Sequence, residues 1–148
     1  MHKLKILLMM NFFIFPTFIC LSNENFSEII KSRMSKFQES KSLMRQINKN
    51  LSDGNFIEIQ NASKKINLWS NEMYKYFPKG SEANSSNKSE ASNDIWSDHE
   101  GFEIAINNFK QKSAELIQIS SSKNLDETFS AFRDLAGTCK GCHQKYRN

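Results

Sequence analysis

Four stretches of the chain repeat an apolar residue every three or four positions, the spacing that lays one buried stripe along an α-helix. The first, residues 26–51, carries Ile30, Met34, Phe37, Met44, Ile47 and Leu51 on one face, with Lys41 as a flaw in the stripe. Ser52, Asp53 and Gly54 break the pattern. Residues 55–77 resume it with Phe56, Ile59, Ala62, Ile66, Trp69, Met73 and Phe77, and Pro78 ends it. Residues 79–97 are polar apart from Ile95 and Trp96 and read as a surface connection, long because it crosses the bundle end.

Ser97 followed by Glu100 has the form of a capping box and predicts a third helix, residues 97–120, with Phe102, Ala105, Ile106, Phe109, Ser113 and Leu116 inward. Asn124 and Glu127 repeat that arrangement ahead of a fourth. Its stripe is Leu125, Phe129, Phe132, Leu135, Ala136, Cys139, His143 and Tyr146. Each stripe serves core packing first. Four such helices joined by two short connections and one long one predict an all-α, antiparallel four-helix bundle.

A chain of 148 residues makes one domain of ordinary size, and its scarcity of Gly (5) and Pro (2) argues against a turn-dense sandwich. The first residues alter that count. His2, Lys3 and Lys5 precede an almost wholly apolar run over residues 6–21, the pattern of a secretory signal peptide, and Cys20 and Ser22 are the small residues of a cleavage site. Cutting after Ser22 divides the chain into a signal peptide, 1–22, and a bundle domain, 23–148. An uncleaved membrane anchor and a lipoprotein are the competing readings; the second is the weaker, because Phe18 and Ile19 precede Cys20. No later run is long enough to span a bilayer, so no membrane association is expected after cleavage.

Without Lys3 and Lys5 the formal charge falls from +4 to +2. That is too weak and too scattered to name nucleic acid or an anionic membrane as partner.

Candidate chemistry lies in Cys139, Lys140, Gly141, Cys142 and His143, a C-x-x-C-H that reads as a c-type haem attachment site. Two thiols three residues apart can each add to one vinyl group of the same porphyrin, and the next residue brings an imidazole to the iron. One haem c, covalent through two thioethers at Cys139 and Cys142 with His143 as metal ligand, is the cofactor expected. Cys139 and His143, four apart, are expected to share the face that points into the bundle.

The alternatives are a redox-active dithiol, a structural disulfide and a zinc site. A dithiol of thioredoxin type wants a βαβ context and a helix N-terminus, and zinc wants more ligands than His99 alone could add. Such a motif arises by chance in a chain this size about once in a thousand. Export adds weight to haem, since c-type haem is attached outside the bacterial cytoplasm, which places the protein in the periplasm of a Gram-negative bacterium.

With the motif ten residues from the end, the chain resembles the cytochromes c prime, a family within the class II c-type cytochromes. The resemblance rests on CKGCHQKYRN at the C-terminus, on Ile30 and Arg33, on FPKGS at residues 77–81 and on IWSDHEGF at residues 95–102. It implies a four-helix bundle with its haem motif close to the C-terminus. It implies that Arg33 lies near a haem propionate, where a guanidinium neutralises a partly buried carboxylate. Arg147 matches a basic residue beside the proximal imidazole, or equally compensates the helix C-terminus.

The position four residues after Arg33 is the informative one. Low-spin electron-transfer members place a methionine there, whereas cytochromes c prime cover the sixth site with an apolar residue. Here it is Phe37, which cannot coordinate iron, so the resemblance implies five-coordinate, high-spin iron. Met34 and Met44 fall at the wrong angle or depth on the first helix, while Met73, Trp69 and Tyr74 could wall the distal pocket.

A pocket lined by Phe37 and apolar neighbours supplies no obvious hydrogen-bond donor, which disfavours dioxygen and leaves nitric oxide and carbon monoxide as ligands. The implied function is a non-enzymatic haem protein trapping nitric oxide and capable of electron transfer with a redox partner protein. A low-spin electron carrier and a haemless periplasmic binding module are the alternatives. Many members are homodimers packed through their first two helices, so a homodimer is expected.

Overall fold

The computed structural model describes residues 23–148, with side chains from Phe26 onward, so the expected signal peptide lies outside the described residues. Its helices are α1 (Asn23–Ser52), α2 (Phe56–Glu72), the short α3 (Asp94–Ser97), α4 (His99–Ser120) and α5 (Leu125–Tyr146), with a 3₁₀ turn at Met73–Tyr76. None of the described helices is long and apolar enough to cross a membrane.

Local chemistry sets each boundary. Nothing in α1 interrupts a helix until Gly54, which takes φ 65° in the turn that follows. Asn55 then caps α2, its side chain accepting from the Glu58 N–H at 3.3 Å. Ahead of Pro78 the helix tightens into the 3₁₀ turn and Phe77 leaves helical geometry at ψ 56°. Asn124 caps α5 as expected, accepting from Glu127 N–H at 3.2 Å.

The cap of α4 is Asp98, one residue beyond the expected Ser97. Asp98 accepts from Gly101 N–H at 3.3 Å, from the Tyr146 hydroxyl at 2.7 Å and from Lys145. Two of those donors come from the far end of the chain, which local capping rules do not count. Gly101 leaves them room: a Cβ there would stand 2.2 Å from Asp98 Oδ2 and 2.6 Å from Tyr146 Oη.

The four long helices close a ring in which α1 packs on α2 and α5, and α4 packs on the same two. Ile47, Ile59, Ile66, Leu116 and Leu135 are fully buried at its centre. Where helices approach closely the core uses small polar residues whose hydroxyls return to their own helix: Ser63 to Ile59 O, Ser120 to Ile117 O, Thr128 to Asn124 O.

Three expectations need correction. In α5 the inward face is Thr128, Ala131 and Leu135, and the expected core residues Leu125 and Phe129 are each 47% exposed. In α1, Leu43 is buried while Met34 is 37% exposed. Residues 79–97 are not a surface connection: Ser81, Ser89, Ala91, Ser92 and Ile95 are buried. That segment is strapped to the chain end by Ser92 N–H to Tyr146 O (3.0 Å), Asn148 N–H to Glu90 O (2.9 Å) and an isolated bridge between Ala91 and Arg147.

The acid limb of stability follows from Asp98. Lys145 first, then Tyr146, hold its carboxyl below its ordinary pKa near 3.9. A lowered folded-state pKa contributes stability that is complete above the unfolded value and is lost as pH falls through the folded one. The melting temperature is expected to fall as pH is lowered from about 4, and Asp98→Asn to be less stable at pH 7 with a flatter acid limb. Thermal melts of both proteins across that range check this.

Candidate cofactor cleft

The strap and the C-terminal turns of α5 leave a cleft of about 220 Å³ against α1 and the end of α2. Arg33, Phe37 and Lys41 border it at steps of four along α1, so Lys41 is no flaw in a core stripe; it marks the rim. Met73, Phe77 and Phe102 form apolar wall, and Cys142, His143 and Arg147 come from the chain end.

Phe37 is the hub of the aromatic wall. Its ring makes edge contacts with Trp69 (5.7 Å between centroids), Phe77 (6.3 Å) and His143 (6.1 Å). The wall continues from Phe77 to Phe102 at 4.9 Å and from Phe102 to Tyr146 at 5.1 Å.

Arg33 is 3% exposed. Its Nη1 donates to Tyr76 O (3.0 Å) and Ser81 Oγ (2.9 Å), its Nη2 to Ser81 O (2.8 Å) and Ser89 Oγ (2.7 Å), and its guanidinium lies 4.5 Å from the Phe77 ring centroid. Burial brings its pKa down to about 10, so it is cationic at neutral pH. All four acceptors are uncharged, and no acidic side chain pairs with it among the described residues. Arg147, by contrast, is paired with Glu90, Nε to Oε2 at 2.7 Å and Nη2 to Oε2 at 2.5 Å.

Cys139 and Cys142 are both free, half-buried thiols. Burial pushes the Cys139 thiol up, and burial together with Cys139 pushes Cys142 up to about 11. Both are protonated at neutral pH, the opposite of the lowered pKa that a reactive dithiol uses. His143 is held below its ordinary pKa by burial first and then by the nearby Arg147 charge, against Glu90, and so presents a neutral imidazole. The expected shared inward face of Cys139 and His143 is only partly seen: Cys139 packs against the core while His143 is open to the cleft.

These residues fit a covalently held porphyrin. Two protonated thiols can add to vinyl groups, the adjacent imidazole is in the form that binds metal, the walls are apolar, and a buried cation without an acidic partner suits a propionate. His99, the zinc alternative's extra ligand, instead contacts Tyr74 Oη at 2.5 Å through Nε2.

The structure brings Arg33, Phe37, Cys142, His143 and Arg147, all named from the sequence, to the border of one cleft, while Cys139 lies outside its lining. Sequence reasoning missed Ser81 and Ser89, which hold Arg33, and Glu90, which holds Arg147. Ser81 closes the FPKGS run, but no local signal gives either serine its role, because they lie 48 and 56 residues from Arg33 along the chain. It also set Met34 aside, yet Met34 borders the cleft together with Met73.

Residues 28–147 match the family model described as Cytochrome C′. A curated relative, cytochrome c-554 of Cereibacter sphaeroides, is 34% identical over 71 residues, 48% of this chain and 46% of the relative. The chain thus spans about half the length of the curated relatives it matches. Among solved structures, a cytochrome c′ described by its ligand-controlled dimer dissociation aligns at TM-score 0.76 and 21% identity, covering 82% of this chain and 95% of that one. Variants of cytochrome c prime from Alcaligenes xylosoxidans, in complexes with nitric oxide and with carbon monoxide, align at TM-score 0.73 and 22% identity, covering 83% and 96%.

Proposed function

The chain belongs to the cytochrome c′ family, and from that premise we propose that it is a periplasmic, gas-binding haem protein with one five-coordinate iron. The cofactor is haem c, as in the family's other members. In this reading Cys139 and Cys142 hold it by thioethers and His143 is the proximal ligand. Arg33 neutralises a propionate, and Arg147 bears on the proximal imidazole. When bound, the haem supplies an iron with an open site for nitric oxide or carbon monoxide and a one-electron couple.

The observation that carries the reading is the edge contact of the Phe37 ring with His143, centroids 6.1 Å apart: the α1 side chain beside the imidazole has no atom that could ligate a metal. Phe37 excludes water with apolar surface, His143 stays neutral beneath it, and no side chain is asked to act as acid, base or nucleophile. The nitric oxide and carbon monoxide complexes of structural neighbours are in keeping with this. Electron exchange with a partner protein and assembly as a homodimer belong to the same proposal, the second in line with the neighbour whose dimer dissociates under ligand control.

A low-spin electron carrier is the second reading, favoured by the two thioethers, Met34 and Met73, that border the cleft.

Protein exported in a host that matures c-type cytochromes is expected to keep its haem stain on a denaturing gel, and Cys139→Ser/Cys142→Ser to lose it. The reduced parent protein is expected to take up nitric oxide in a one-to-one titration. An unstained parent band, or no spectral response to nitric oxide, contradicts the proposal.

A further inference from the structure

Trp69 lies in the buried stripe of α2, 5% exposed, and its indole N–H has no hydrogen-bond partner among the described residues. The other tryptophan shows the usual arrangement, Trp96 Nε1–H donating to the Phe77 carbonyl at 3.3 Å. Buried donors are nearly always paired, because an unpaired one gives up its hydrogen bond to water on folding and gains nothing in return. A spare donor in a packed core therefore raises the question of what accepts from it when the protein is at work.

Its neighbours narrow the answer. The Trp69 ring stands perpendicular to Phe37, centroids 5.7 Å apart, and against Tyr76 at 5.0 Å. Phe37 borders the cleft and contacts His143, whereas Trp69 stands behind it, outside the cleft lining. Phe37 thus both touches Trp69 and borders the cleft. That ring is half-buried and held by edge contacts and packing alone, so its rotation breaks no hydrogen bond.

We propose that Trp69 Nε1–H is a hydrogen-bond donor for a diatomic ligand in the cleft, kept behind Phe37 and reached when that ring turns aside. The inference rests on the gas-binding reading above and replaces the expectation of a pocket without a donor. It makes the site selective by the outer atom of the ligand. Carbon monoxide, a poor acceptor, gains little, nitric oxide gains more, and dioxygen, whose outer atom draws the most negative charge, gains most. Phe37 sets how much of that gain is realised.

Trp69→Phe keeps an aromatic ring and removes the N–H, and Phe37→Leu clears the way to it. On the reduced holoprotein, the infrared stretch of carbon monoxide is expected at lower frequency in Phe37→Leu than in Phe37→Leu/Trp69→Phe. Nitric oxide is expected to dissociate several-fold faster from the double variant. Equal stretching frequencies and equal dissociation rates in the two variants overturn the donor role while leaving gas binding intact. Failure of parent and variants alike to take up carbon monoxide overturns both the donor role and the reading beneath it. Should Trp69→Phe not accumulate, benzothienylalanine at position 69, with sulfur in place of the N–H, makes the same comparison with the same deciding outcomes.

Discussion

Arg33→Leu is expected to melt roughly 10 °C below the parent protein, the loss of about 3 kcal/mol spread over a domain of this size. The substitution deletes both guanidinium nitrogens that link α1 to Tyr76 O, Ser81 O, Ser81 Oγ and Ser89 Oγ. The Ser81 carbonyl and the Ser81 and Ser89 hydroxyls left behind are buried, so the cost includes their desolvation as well as the lost bonds. Arg33→Lys keeps the charge but replaces a planar fork by a single ammonium, and is expected to recover only part of the loss. Thermal melts of the holoproteins at neutral pH check both. A melting temperature for Arg33→Leu equal to the parent's would mean that the serine strap is held by something other than this residue.

Phe37→Met is expected to convert the reduced protein to a low-spin, six-coordinate spectrum that no longer responds to carbon monoxide. The side chain at this position borders the same cleft as His143 and touches its ring, and methionine is long, unbranched and soft enough that it could ligate a metal His143 would hold there. The parent already has Met34 and Met73 at the cleft. If Phe37→Met stays high-spin, position 37 is not the one that decides coordination. If the parent is already low-spin, one of the other two thioethers has taken the site.

How far these features were readable depended on where the partners lie. The stripe of α2 was legible from residues 56 to 77 because every step is three or four and every apolar residue in it is buried or half-buried. The stripe of α5 was read out of phase. Leu125 and Phe129 are large and apolar yet exposed, while the smaller Thr128 and Ala131 face inward, where α5 packs against α4 and α1. Thr128 tolerates the position only because its hydroxyl bonds to Asn124 O at 2.6 Å. Periodicity weighs hydrophobicity and does not see helix separation.

The site shows the same division. The C-x-x-C-H motif is a local pattern readable by itself, whereas Arg33 and Phe37, four apart on one helix, were singled out through the family resemblance. The serines that hold Arg33 sit in a stretch whose composition reads as solvent-facing, and their burial follows from a charged group brought in from α1. Asp98 was displaced from view by Ser97 for a similar reason, since its decisive partners, Lys145 and Tyr146, come from the last turn of α5. The spare N–H of Trp69 is invisible in sequence altogether, where the residue is one more member of a core stripe.

The absorption spectrum of the reduced, exported holoprotein before and after carbon monoxide tests the central claim most directly. A five-coordinate, high-spin spectrum that shifts on adding the gas is the result expected of a haem tethered at Cys139 and Cys142, ligated by His143 and covered by Phe37. A colourless protein, or a low-spin spectrum that carbon monoxide leaves unchanged, would contradict it.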